Sequence, residues 1–369
     1  MTKINSDIFN LIEQWAPSSL SYDWDNPGLQ IGSYNNTVKK VMVTLDVLES
    51  VVDEAIENKV DLIIAHHPLL FKPMKKINID TPQGRIVQKL MQHNISVYAS
   101  HTSLDIATGG VNDMLCDALD IKSREILAET DRQKLYKIAV YVPGSHINDV
   151  REAFDIGGAG HIGNYSHCTF QSAGQGTFKP LEGTNPYIGK QNELEKVDEF
   201  KIESIVQVEK LTQVIRAIID AHPYEEPAYD IFPLDNKGKA LGIGRIGTLD
   251  QQMTLEAFCG QVKTAFGITH LRVIGDLSKE VKQVAVLGGS GEKYIDIAKE
   301  KGADVYITGD MSFHTAQDAW QRGLSVIDPG HYIETVMKKG TKDYLDNKLQ
   351  NDNVEVIVSR VNTEPFQFM

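Results

Sequence analysis

Cysteine is scarce in this chain: Cys116, Cys168 and Cys259 are the only three in 369 residues, and they stand far apart. An odd, widely spaced set supplies neither a disulfide framework nor a thiolate zinc cluster, so all three are expected in cores. Long apolar runs are also missing. No stretch reaches the roughly 18 to 20 apolar residues that span a bilayer. The leading segment MTKINSDIFNLIEQW has no apolar block flanked by basic residues, as a secretory signal would have. A cytoplasmic protein with no membrane contact is expected. Positive charge is in deficit as well, 37 Lys and Arg standing against 50 Asp and Glu for a net charge of −13. Nucleic acids are bound through clustered cations that release phosphate counterions, so a nucleic-acid surface is not expected. A small anionic ligand held through metal ions stays compatible with that charge.

What is present is the composition of a folded protein, 41% hydrophobic and 24% charged, which sets aside disordered and fibrous classes. At ~100 to 200 residues per domain, the length predicts two or three domains. Ile8, Leu11, Ile12 and Trp15 fall at helical spacing behind Ser6, a candidate cap. The turn-rich YDWDNPGLQIG (22–32) and the apolar run VMVTL (41–45), which reads as a buried strand, come next.

Residues 51–105 resemble residues 294–334. In the first, VVDEAIENK runs into VDLIIA and then His66-His67; in the second, YIDIAKEKG runs into ADVYITG and then Asp310. Asp61 matches Asp304. VQKLMQHN and ISVYASH then lead to Asp105, as TAQDAWQRG and LSVIDPGH lead to Glu334, and Ser96 to Asp105 and Ser325 to Glu334 are both nine residues. Two pseudo-repeated α/β halves with buried parallel strands are expected, although βα units share composition by default. The intervening stretch differs in character. Strand LYKIAVYVP, a short helix, Gly-rich GGAGHIGNYSHCTF and QSAGQGTF, then KIESIVQVE, KLTQVIRAIIDAH and HPYEEPAYDIFPL come in the ferredoxin-like order. The expected fold class is therefore α/β, one discontinuous domain formed by residues 1–128 and 236–369, with an α+β domain inserted at 129–235.

The candidate chemistry lies just past predicted strand ends, where α/β sheets place their sites. His66 and His67 follow LIIA and precede Pro68; alone they read equally well as loop histidines. In HTSLD, Asp105 offers a hard carboxylate able to bridge two cations. In DPGHYIE, His331 and Glu334 are three apart on one face of a starting helix, where a carboxylate is also favoured by the helix dipole alone. Three His and two carboxylates without a thiolate suit two divalent ions, Zn first with Mn or Fe as alternatives, and leave coordination positions open to water. His101 is expected to orient a ligand or substrate. Asp310 and His314 are candidate proton-transfer groups. VAVLGGSGEKY reads as a tight turn ahead of a phosphate cradle, because GGSG matches neither known nucleotide fingerprint. HPYEEPAY reads as an edge strand or an oligomer contact.

The set IIAHHPL, HTSLD, LGIGRIG, VAVLGGSG and GHYIE closely resembles the GTP cyclohydrolase 1 type 2 homologue family, also called NIF-three-like, over both outer segments. The resemblance implies a dinuclear centre, often zinc, held by His66, His67, Asp105, His331 and Glu334 inside a toroidal homohexamer. The middle segment is similar to the PII-like insert of longer bacterial members, which implies small-molecule sensing. Two functions fit: a metal-dependent hydrolase of a small anionic substrate such as a nucleotide, or a non-enzymatic regulatory or metal-handling protein with an effector-sensing insert.

Overall fold

The computed structural model describes residues 2–369. Its contacts divide the chain into two compact units: residues up to Thr130 together with Leu241–Met369, and Asp131–Ala240. In chain order the strands are β1 (Gly28–Ile31), β2 (Lys40–Thr44), β3 (Leu62–Ala65), β4 (Ser96–Ala99), β5 (Lys122–Arg132), β6 (Leu135–Pro143), β7 (Phe170–Phe178), β8 (Glu195–Gln207), β9 (Tyr229–Leu234), β10 (Ala240–Thr254), β11 (Arg272–Ile274), β12 (Glu280–Ser290), β13 (Val305–Gly309), β14 (Ser325–Asp328) and β15 (Glu355–Val358).

The first unit contains two sheets, ordered β1-β4-β3-β2-β15 and β11-β14-β13-β12-β10-β5. In each, three consecutive strands run parallel and an antiparallel strand, β1 or β11, closes the edge. The runs LIIA, SVYA, VYITG and SVID are buried at every position, as parallel strands covered on both faces must be. Local devices recur. Asp61 accepts from the backbone N–H of Lys39 and Lys40 at 2.7 and 2.9 Å, and Asp304 does the same for Lys282 and Gln283 at 2.9 and 2.8 Å. Ile8, Val43 and Leu115 from the first segment share one core with Phe258, Val286 and Ile307 from the second, so neither segment completes this unit alone.

Two sequence expectations shift. The first helix begins at Asn5, not behind Ser6, and Asp7 accepts the N–H of Ile4, its capping residue, at 2.9 Å. Ser6 cannot cap because the chain is already pinned there: Asn5 and Ser6 donate their N–H groups to Asn36 and Tyr34. The GGS of VAVLGGSG lies inside strand β12, with a register shift between Val286 and Ser290 and Gly289 at φ +63°, so it is a bulge and not a turn between elements.

The second unit has the order strand, helix, strand, strand, helix, strand, and an antiparallel sheet β7-β8-β6-β9. Helices Ile147–Gly157 and Leu211–Ala221 pack Val150, Phe154, Val214 and Ile218 onto Ile138, Val140 and Ile202 of the sheet. A Cβ at Gly157 would lie 2.6 Å from Val214 Cα, so a glycine is what lets the two helices approach. In HPYEEPAY the strand starts only at Tyr229 and is an edge of this sheet; His222 to Ala228 precede it.

Arg245 of the LGIGRIG motif is a buried cation in the first unit. It pairs with both carboxylate oxygens of Asp113 at 2.9 and 2.8 Å and donates to the carbonyls of Gly242, Gly244 and Ala107. Removing one partner strands the other charge in the interior. Arg245→Leu is expected to cost about 3–5 kcal/mol. The readout is the urea midpoint followed by tryptophan fluorescence, because Trp15, Trp24 and Trp320 all belong to this unit.

Candidate metal centre

Parallel strands deliver the site. His66 and His67 directly follow β3, Asp105 sits on the short helix Thr102–Ile106 after β4, and His331 and Glu334 share a 3-10 turn, His331–Thr335, after β14. At three residues per turn, i and i+3 eclipse, which aims both side chains the same way. His331 Nε2 accordingly lies 3.1 Å from Glu334 Oε2. The same carboxylate oxygen is 3.1 Å from His67 Nε2 and 3.8 Å from His66 Nε2, while Asp105 Oδ1 is 3.6 Å from His66 Nε2. The structure thus brings all five residues together, in overlapping groups of possible ligand atoms: His67, His331 and Glu334; His66, Asp105 and Glu334; and His66, His67 and His101.

Each imidazole is anchored through its other nitrogen. His66 Nδ1 donates to the Ser100 carbonyl at 2.9 Å, His67 Nδ1 to Asp46 at 2.6 Å, His331 Nδ1 to Asp310 at 2.7 Å and His101 Nδ1 to Asp25 at 2.8 Å. This fixes the tautomer that turns Nε2 inward, the arrangement found behind metal-ligating histidines. Two atoms of the cluster, His66 Nε2 and Asp105 Oδ1, are buried without a hydrogen-bond partner among the described residues. A buried acceptor of that kind is costly unless something binds it, and a cation meets both demands. The donor set therefore fits divalent metal.

Burial first, and the nearby His67 and His101, push the His66 imidazole down to about 3, leaving it a neutral donor throughout the ordinary range. Burial opposes the charged form of His67 too, but hydrogen bonds to Asp46 and Glu334 outweigh it and raise it to about 10. The Glu334 hydrogen bond raises His331 to about 9, burial acting against it. Burial and the charge of Glu334 hold Asp105 well above the usual carboxylate range. Glu334 is pulled below that range, because bonds from His331 and His67 outweigh its burial.

Reading the sequence missed Asp46 and Asp25, although both were visible: Asp46 ends VMVTLD just as His66 follows LIIA, and Asp25 sits in YDWDN. Asp25 binds His101 and the Thr102 N–H and hydroxyl, which outweigh its burial and lower it to about 2. Asp310, a candidate proton-transfer group, accepts from His331 Nδ1 and so also buttresses that ring. His314 is exposed, contacts Gln317 and Phe313, and does not join the cluster. The paired glycines of β12 have another use. A Cβ at Gly289 would fall 2.6 Å from Glu334 Oε1, and one at Gly288 3.1 Å, so they make room for the Glu334 carboxylate. Exposed Trp24 and Phe71 stand edge-on to His101 at 6.1 and 6.4 Å between ring centres.

In chelator-treated protein, histidine nitrogen chemical shifts followed from pH 4 to 11 are expected to show one imidazole neutral at every point and two that lose their proton only near pH 9 and 10. Three ordinary titrations near pH 6.5 would contradict the hydrogen-bond network described.

Residues 4–365 match the family model described as Duf34/NIF3 (NGG1p interacting factor 3). The chain is 51% identical over 364 residues to a Halalkalibacterium halodurans protein and 50% identical over 364 residues to one from Bacillus subtilis, both named GTP cyclohydrolase 1 type 2 homolog; each comparison covers 98% of both chains. Among solved structures it is similar to a Bacillus cereus protein related to NIF3, with a TM-score of 0.94, 47% identity and full coverage of both chains. A Staphylococcus aureus protein gives 0.79 at 34% identity, with 100% of this chain and 99% of that one covered. With a family model spanning nearly the whole sequence and relatives identical at half their positions end to end, the chain belongs to the DUF34/NIF3 family.

Proposed function

We propose that this protein is a dinuclear metal-dependent hydrolase of a small anionic substrate. The observation that carries the proposal is the buried pair His66 Nε2 and Asp105 Oδ1, both without a hydrogen bond, among imidazoles whose outer nitrogens are already engaged. Two divalent ions, Zn first and Mn or Fe as alternatives, would be held by His66, His67, Asp105, His331 and Glu334. Glu334 Oε2, within 3.8 Å of three imidazoles, is the carboxylate best placed to be shared. Asp105, the bridge expected from the sequence, stands beside His66. When bound, the ions supply Lewis acidity and lower the pKa of water. The chain's own part is to hold five donors with their lone pairs inward, to keep His66 neutral and to set the Asp25–His101 pair at the rim, where His101 can orient substrate or pass a proton. The name carried by the relatives makes GTP the first nucleotide to assay.

The recurring devices Asp61/Asp304 and Ser96/Ser325 support two halves of one ancestral unit; a Cβ at Gly32 would meet Ser96 Oγ at 2.2 Å and one at Gly275 would meet Ser325 Oγ at 2.8 Å. The second compact unit is read as a ferredoxin-like, PII-like insert, on the strength of its β7-β8-β6-β9 order. A cytoplasmic homohexamer completes the proposal. No helix among the described residues is long and apolar enough to cross a membrane.

Metal analysis of protein purified without chelator is expected to give two ions per chain, both lost from a His67→Ala, Asp105→Ala double variant together with nucleotide hydrolysis. Bound metal with no turnover on any phosphate ester or nucleotide overturns the hydrolase and leaves a metal-handling protein. Asp46→Ala, which removes the support of His67 together with the acceptor of the Thr363 hydroxyl, is expected to weaken metal affinity about 10- to 100-fold in competition with a chromogenic chelator. Metal uptake must also expel protons from His67 and His331, so affinity is expected to climb with pH through neutrality up to about pH 10. Calorimetry in buffers of different ionisation enthalpy counts those protons.

A further inference from the structure

The second unit, Asp131–Ala240, contains a cavity of about 890 Å³, the size of a small-molecule site. Its walls are β7, the loop that follows it to Ile188, and Tyr224, Glu225, Glu226 and Ala228 of the HPYEEPAY motif, which the metal centre leaves without a role. The motif is built to hold one ring in place. The Tyr224 N–H donates to His222 Nδ1 at 3.0 Å, and His222 Nε2 donates to the Tyr141 carbonyl at 2.9 Å, so this imidazole is neutral and fully used. The Tyr224 hydroxyl then donates to Glu199 Oε1 at 2.8 Å. Phe178 and Tyr187 flank Tyr224 with ring centres 5.8 and 6.3 Å away, giving three aromatic faces along the wall.

Glu199 is the unexplained group. It is only 9% exposed, and its Oε2 accepts no hydrogen bond among the described residues. Gly176 provides its space: a Cβ there would lie 2.1 Å from that oxygen. Four glutamates line the cavity, Glu182, Glu199, Glu225 and Glu226, against Lys179 and Lys201, and the Lys201 ammonium is already taken by Glu203 at 2.8 Å. An anion would enter beside a buried carboxylate with a single uncommitted lysine to meet it. An uncharged apolar ligand would leave Glu199 without a counter-charge, at the desolvation cost of a buried ion. A cation satisfies both the carboxylate and the electron-rich ring faces.

We propose that this cavity binds a small organic cation, its ammonium group set against Phe178, Tyr187 and Tyr224 with Glu199 as counter-charge. The site is separate from the metal ligands and owes nothing to the hydrolase reading. The test is calorimetric titration of the full-length protein with choline, tetramethylammonium and butane-1,4-diamine, alongside 3,3-dimethylbutan-1-ol, the uncharged isostere of choline. Saturable binding of an ammonium probe is expected, with choline preferred over its isostere by about tenfold or more. Glu199→Gln is expected to abolish that preference, and Gly176→Ala, which pushes the carboxylate aside without changing charge, to reduce it. Metal content should stay unchanged in both. If Glu199→Gln fails to fold by circular dichroism, Tyr187→Ala decides, since Tyr187 is 53% exposed and its loss leaves the fold intact while weakening every ammonium probe. No saturable binding of any ammonium probe, equal affinity for choline and its isostere, or an undiminished preference after Glu199→Gln or an unchanged affinity after Tyr187→Ala overturns the proposal.

Discussion

Two buried carboxylates facing the same imidazole set the terms for the first unit. Asp105 and Glu334 are almost wholly removed from water, and among the described residues no lysine or arginine pairs with them; their neighbours are His66, His67 and His331. An uncompensated carboxylate in such a place is costly, and the protein meets that cost by proton placement. Glu334 is held below the usual carboxylate range because His67 and His331, raised to about 10 and about 9, carry protons beside it, while burial and the charge of Glu334 hold Asp105 well above that range. Divalent cations would replace those protons with charge that cannot dissociate as an acid, so the electrostatics of the cluster and its metal affinity are two views of one constraint.

The fold serves that constraint by converging strand ends on it. β2, β3 and β4 lie side by side, so Asp46 after β2 reaches His67 after β3, and the Ser100 carbonyl after β4 reaches His66. On the other sheet Asp310 after β13 holds His331 after β14 in the same manner. Neighbouring parallel strands end at one level, which is why a histidine and its support come from adjacent strands although they are 21 to 34 residues apart in sequence. The bulge at Gly288 and Gly289 completes the arrangement by leaving space for Glu334.

Elsewhere the same logic of a committed polar group recurs with different chemistry. Arg245 and Asp113, with the Gly242, Gly244 and Ala107 carbonyls and the Gly109 N–H, form a closed set that needs no ligand. Glu199 in the second unit accepts from Tyr224 alone among the described residues and shares a cavity wall with aromatic rings. What separates a structural ion pair from a site is whether the lone pairs are all used.

The sequence alone determined the residue types and their positions relative to strand ends: LIIA before His66-His67, SVYASH before Asp105, SVIDPGH before Glu334. Continuous apolar runs bounded by Pro and Gly declare buried parallel strands, and histidines and carboxylates just past the ends of such strands declare a site, so the residues that cluster were legible from pattern and family resemblance together. The first helix was legible but its start was not, because backbone bonds from Asn5 and Ser6 to residues 36 and 34 pin the chain ahead of any local cap. Only tertiary structure could decide which strands are neighbours, and so that Asp46, Asp25 and Asp310 stand behind histidines, that GGSG is a bulge cleared for a carboxylate, and that Tyr224, Glu225 and Glu226 wall a cavity. Those facts depend on approach between segments distant in the chain, and periodicity reports only which face of an element is buried, never what it is buried against.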